Sequence, residues 1–121
     1  MFQASSIASR TARALPLHRL YLSSPDGAAF TESERNAVLQ ATMRHFQDFT
    51  VTEAIGGFRG RRLHSLVIAV ATADDEAVDR FADALRWQFG QETIGHETDG
   101  MFSEIGARKA VETARIPCAA E

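Results

Sequence analysis

FTVTEAIGGFRGRRLHSLVIAVATADDEAVDRFADALRWQFGQETIGHETDGMFSEI, residues 49–105, decides the fold. Residues 49–55 alternate as a strand, with Phe49, Val51 and Ile55 on one side and Thr50, Thr52 and Ala54 on the other. Glu53 interrupts the apolar side. Residues 56–62 carry three glycines and three arginines and predict a turn. Residues 63–71 follow as an almost unbroken apolar run, the signature of a central strand buried on both faces. Thr72 and Asp75 have the spacing of a capping box, and Asp74, Asp75 and Glu76 suit the positive end of a helix dipole. Val78, Phe81, Leu85 and Phe89 mark the buried stripe of that helix, with Ala77, Ala82 and Trp87 at its borders and Gly90 placed to end it. Residues 92–98 and 101–105 then pair as a hairpin through Asp99-Gly100, a favoured type I′ turn.

Working upstream, residues 17–23 form a strand with Leu20 and Leu22 on one face and Arg19 and Tyr21 on the other. Ser24-Pro25-Asp26-Gly27 is a turn. Thr31 and Glu34 give a second capping box, opening a helix with an apolar stripe of Val38, Ala41, Met43 and Phe46. The element order is β-α-β-β-α-β, which predicts an α+β ferredoxin-like sandwich with a C-terminal β-hairpin extension. Three segments are expected: a disordered extension at 1–16, the domain at 17–106, and a tail at 107–121 that can hold a short helix. In such a sandwich two helices cover one sheet face. Residues 63–71 are apolar on both faces, so a second copy of the chain is the simplest cover for the other.

A chain of 121 residues makes one domain able to bury a core. The net charge of -3 argues against a general nucleic-acid binder. No stretch of about 18 apolar residues suggests a membrane span. The single cysteine, Cys118, excludes an intrachain disulfide and fits a reducing, cytoplasmic setting. Every one of the 16 acidic residues follows Pro25, and the acid-free start with Arg10 and Arg13 has a faint transit-peptide character.

The stretch from Tyr21 to Ile105 resembles small uncharacterised bacterial α+β proteins, on the Pro25-Asp26-Gly27 turn, Thr52-Glu53-Ala54-Ile55-Gly56-Gly57, and Gly90-Gln91-Glu92 with Glu97-Thr98-Asp99-Gly100. That resemblance implies no activity. The phrase Thr50-Val51-Thr52-Glu53 before a Gly-rich turn, with the acids at 74–76, is more distantly similar to PII-like signalling proteins. This likeness implies a trimer binding nucleotide near a long loop between strands two and three. Here that loop is short and the ligand signatures are absent.

The best candidate site is the Gly/Arg turn. Arg59, Arg61 and Arg62 can hold an anion or an acidic protein surface, with Phe58 as an aromatic anchor. A solvated hairpin tip accounts for the same residues. Neighbouring first and last strands would bring His18 towards His96, with Glu92 on the same strand face, a two-His, one-carboxylate set for a metal. Scattered half-buried histidines are the plainer account, and no metal or cofactor is assigned. Nucleophile-elbow, HExxH, CxxC and GxGxxG patterns are absent. These features together predict a non-enzymatic interaction protein that binds another protein or itself as a homo-oligomer. The alternatives are a PII-like regulator of an anionic metabolite or nucleotide, and a small dimeric α+β barrel enzyme.

Overall fold

A computed structural model describes residues 14–106. Most of the expected N-terminal extension, the tail at 107–121 and Cys118 lie outside the described residues. The elements are β1 (Leu17–Ser23), α1 (Glu32–Met43), β2 (Thr50–Phe58), β3 (Arg61–Ala71), α2 (Asp75–Gln88), β4 (Thr93–Thr98) and β5 (Met101–Gly106). They build one antiparallel sheet in the order β2-β3-β1-β4-β5. The first four strands have the ferredoxin-like arrangement, and β5 extends the sheet through the hairpin.

Both helices lie on one face. Leu20 and Leu22 of β1, Leu66, Ile68 and Val70 of β3 and Ile94 of β4 point at Val38 and Ala41 of α1 and Val78, Phe81, Ala82 and Leu85 of α2. The capping box of α1 forms as expected, with Thr31 Oγ1 accepting from the Glu34 N–H and Glu34 Oε1 accepting from the Thr31 N–H. Its apolar stripe differs from expectation. Met43 is exposed, and Thr42 is buried in its place because its hydroxyl donates to the Val38 carbonyl one turn back. The cap of α2 is also shifted. Asp74 caps the Ala77 N–H, while Thr72 Oγ1 accepts from the Asp74 N–H, so Thr72 builds the turn before the helix. Gly90, at φ 65°, ends α2 with the Gln91 N–H donating to the Arg86 carbonyl. Trp87 is 72% exposed, outside the core, with Arg86 stacked on its ring at 4.7 Å.

The β2–β3 connection departs most from the sequence expectation. The turn is only Arg59-Gly60, both in the left-handed region, and Gly56, Gly57 and Phe58 continue β2 opposite Leu63, Arg62 and Arg61. Ladder hydrogen bonds need no side chain, so glycines extend the strand here rather than end it. Glu53, the charge on the helix-facing side of β2, accepts from the Phe30 N–H at 3.2 Å and lies 3.5 Å from Arg35 Nη1. It ties the loop before α1 to the sheet. Val67 and Ala69, on the face away from the helices, are half-buried among the described residues.

Candidate functional site

Strand alternation divides β1 between two environments. His18, Leu20 and Leu22 enter the core, and Arg19, Tyr21 and Ser23 face outward. Register does the same for the neighbours. Tyr21 pairs with Gly95, Arg19 with Glu97, and Gly95 with Glu104. Residues paired across a ladder share a face, so Tyr21, Gly95, Glu97, Phe102 and Glu104 gather on the open side.

Their contacts form a small constellation. The Tyr21 hydroxyl donates to Glu97 Oε1 at 2.7 Å, and Arg19 Nη1 lies 3.7 Å from the same oxygen. The rings of Tyr21 and Phe102 meet edge to face at 6.0 Å. Gly95 makes this packing fit. A Cβ there would lie 2.8 Å from Phe102 Cζ and 3.4 Å from Tyr21 Cβ, so the absent side chain lets the Phe102 ring lie across the strand. Phe102 stays 63% exposed, an aromatic face offered to solvent. The hydrogen bond to Glu97 holds the Tyr21 phenol above its ordinary value, burial and the Glu97 charge add to the rise, and Arg19 opposes it.

Tyr21, Gly95 and Phe102 line an open surface groove of about 600 Å³ that runs from Phe102 past Gly95 and Leu63 to Ser24 and Pro25. That size suits a small ligand. Its far end is held by Gln91, whose Nε2 donates to the Ser23 carbonyl at 3.0 Å. The Pro25 loop is held in turn by Asp26, whose Oδ1 accepts from the Ala28 N–H and the Ser24 hydroxyl; these bonds keep its carboxyl below the usual range. Glu92 and Glu104 line the groove, and Glu97 adjoins them on the same face. The groove therefore combines aromatic walls with negative charge. That composition favours a flat, cationic or neutral ligand over an anion.

The Gly/Arg turn lies at the far end of the β2–β3 hairpin. Arg61 and Arg62 are exposed and occupy adjacent strand positions, so they face opposite sides of the sheet. Arg59 sits in the turn itself. The backbone therefore does not aim the three arginines at one point, and of Phe58 only its place in β2 opposite Arg61 is described. His18 and His96 do meet, with Nδ1 of His18 2.9 Å from Nε2 of His96. Glu92 precedes β4 and borders the open-face groove, on the other side of the sheet from this pair. Among the described residues no group of three or more His, Cys, Asp or Glu side chains has metal-binding geometry. No helix among them is long and apolar enough to cross a membrane.

The sequence reading did not single out Tyr21, Gly95, Glu97 and Phe102 as a site. The only available signal was parity, with Tyr21 on the polar face of a strand and Gly95 and Glu97 alternating on another.

No protein-family model and no curated protein matches the chain. Two solved structures share the fold. One is a phage SAM lyase in complex with S-methyl-5'-thioadenosine, at 14% identity and a TM-score of 0.52; the other is a phage SAM lyase in the apo state, at 15% and 0.56. Each alignment covers 77% of this chain and 90% of the other. Both are structures of an enzyme, and this overturns the expectation of a non-enzymatic interaction protein. That expectation rested on missing catalytic motifs. Motif absence is weak ground, because a reaction whose leaving group departs readily needs few polar residues.

Proposed function

We propose that this protein is a lyase acting on a nucleoside sulfonium of the S-adenosylmethionine class, with the open-face groove as its active site. The observation that carries the reading is a groove of ligand size lined by the Tyr21 and Phe102 rings and by Glu92 and Glu104, with Glu97 bonded to the Tyr21 hydroxyl beside it. The shared fold of the phage SAM lyases supports it.

The chemistry suits the groove. The exposed Phe102 ring offers a stacking face for adenine, and stacking of a base on an aromatic side chain contributes about 1–3 kcal/mol. Glu92 and Glu104 attract the positive sulfur and repel phosphorylated nucleotides. Cleavage of the bond from sulfur to the methionine-derived chain returns its electron pair to sulfur and leaves the neutral thioether S-methyl-5'-thioadenosine. The amino-acid fragment completes its valence by giving a proton to a base, or by closing its own carboxylate onto the carbon that sulfur leaves. No water is consumed. Positive charge on sulfur fades along this path as the bond breaks. Glu97 is the candidate base for the proton-loss route, and its hydrogen bond from Tyr21 fixes the carboxylate's orientation.

The test is incubation of the purified full chain with S-adenosylmethionine, followed by chromatography and mass spectrometry. Release of S-methyl-5'-thioadenosine, reduced in Phe102→Ala and in Glu97→Gln, is the expected result. Absence of product, together with no calorimetric binding of S-methyl-5'-thioadenosine, overturns the proposal.

A further inference from the structure

On the opposite face of β4 from the groove lies a second polar device. His18 is 1% exposed, the most deeply buried titratable group in the core. Its Nδ1 is 2.9 Å from His96 Nε2, its Nε2 is 3.1 Å from the Thr72 carbonyl oxygen, and that same Nε2 is 3.4 Å from Asp75 Oδ1. The two imidazoles lie 15° from parallel. These contacts join β1, β4 and the turn that starts α2, three elements far apart in sequence.

We propose that the His18–His96 pair is an acid-sensitive latch that fastens the start of α2 and strand β4 to the central strand β1.

The geometry fixes the protons. A carbonyl oxygen only accepts, so His18 must carry its proton on Nε2 and donate to Thr72. In the neutral ring Nδ1 is then an acceptor, and His96 must donate to it from its own Nε2–H. The lone pair of His96 is left on Nδ1. One proton can be added to the pair while both hydrogen bonds persist. With a second proton both facing nitrogens, His18 Nδ1 and His96 Nε2, carry hydrogens across 2.9 Å. Two imidazolium rings cannot keep this contact, so acid opens the latch.

The groups facing the pair come from every element around it. Burial, and then the charge of the neighbouring His18, hold His96 below its ordinary value, against Asp79 and Asp75 of α2, which oppose the shift. Val70 of β3 pairs with His18, and Ser103 of β5 pairs with His96, and neither titrates. Asp83 and Arg86 lie further along the same channel and pair with each other at 3.1 Å, and Glu104 of β5 lines it as well. A depressed histidine contributes stability that is present above its unfolded value, here 6.5, and is lost as the pH falls through the lower folded value. Gly95 and Glu97, the chain neighbours of His96, belong to the open face, so the latch sits directly behind the groove.

Two measurements on the full chain test the latch. Long-range nitrogen–proton NMR spectra of the imidazoles at pH 7.5 should show both His18 and His96 protonated on Nε2 only. Urea unfolding at pH 7.5 and 5.5 should show a fall in midpoint for the wild type that is at least halved in His96→Gln. A glutamine amide can donate to His18 Nδ1, or turn its oxygen to accept from it, without titrating. His45→Gln should keep the full acid loss. A His18 proton on Nδ1 at pH 7.5, or an acid loss unchanged in His96→Gln, overturns the proposal. If His96→Gln does not fold, the tautomer spectra of the wild type decide alone.

Discussion

The two faces of this sheet are made by the same strands and follow different rules. On the helix-covered face Leu20, Leu22, Leu66, Ile68 and Ile94 are all 1% exposed or less, packed against Phe81 and Leu85. On the open face Arg19, Tyr21, Glu97 and Phe102 hold one another through a hydrogen bond, an ion contact and a ring contact, and remain in reach of solvent. Burial of apolar area stabilises the first face. The second contributes little to stability and concentrates the groups that can recognise a ligand. Loss of a side chain should therefore be felt as unfolding on one face and as lost chemistry on the other.

The sharpest way to break this comparison is to truncate a core ring. Phe81 is fully buried, so Phe81→Ala should cost about 3–5 kcal/mol in urea unfolding. A cost under about 1 kcal/mol would show that the helix-covered face is not the stabilising one. Next comes Phe102→Ala, which should change stability by no more than about 1 kcal/mol yet weaken binding of S-methyl-5'-thioadenosine by about 1–3 kcal/mol in calorimetry. Equal losses in both assays would erase the distinction. Thr31→Ala removes the Oγ1 that accepts from the Glu34 N–H, and should cost about 1 kcal/mol of stability in urea unfolding without affecting ligand binding.

Gly95→Ala is a finer probe. The added methyl group meets the tip of the Phe102 ring, which is exposed and free to swing outward. Stability should hold while ligand binding falls, and near-ultraviolet circular dichroism should report the moved ring. The smallest effect is alkaline. Tyr21 has a raised folded value, so its contribution is complete below 10.0 and is lost as pH rises through that higher value. Ultraviolet titration of phenolate should show this shift reduced in Glu97→Gln. Tyr21 is the only tyrosine, so the signal is unambiguous.

The local elements were legible because their causes are local. The Thr31–Glu34 box, the Asp99-Gly100 turn and the positive-φ Gly90 each depend on residues within a few positions, and each forms as the sequence indicates. Errors arose where two local meanings competed. Gly56 and Gly57 suit a turn as well as a strand, and pairing with Leu63 and Arg62 selects the strand. Trp87 borders the helix stripe in sequence, yet the sheet does not extend under it and it remains exposed.

The candidate groove was not legible, because its parts are joined only by register. Tyr21 and Glu97 are separated by 76 positions, and His18 and His96 by 78. Strand parity placed Tyr21 on the polar side of β1, but the partner across the ladder follows from how β4 docks against β1. By itself the sequence determined the order of strands and helices, their caps, and the apolar alternation that selects a two-layer sandwich. Those are short-range properties of backbone geometry and side-chain pattern. Only the tertiary structure decided that Gly95 lies beside Tyr21 and beneath Phe102, and that two histidines share a buried hydrogen bond. A one-residue change of register would send every one of those side chains to the opposite face, so their meeting is a property of the folded sheet.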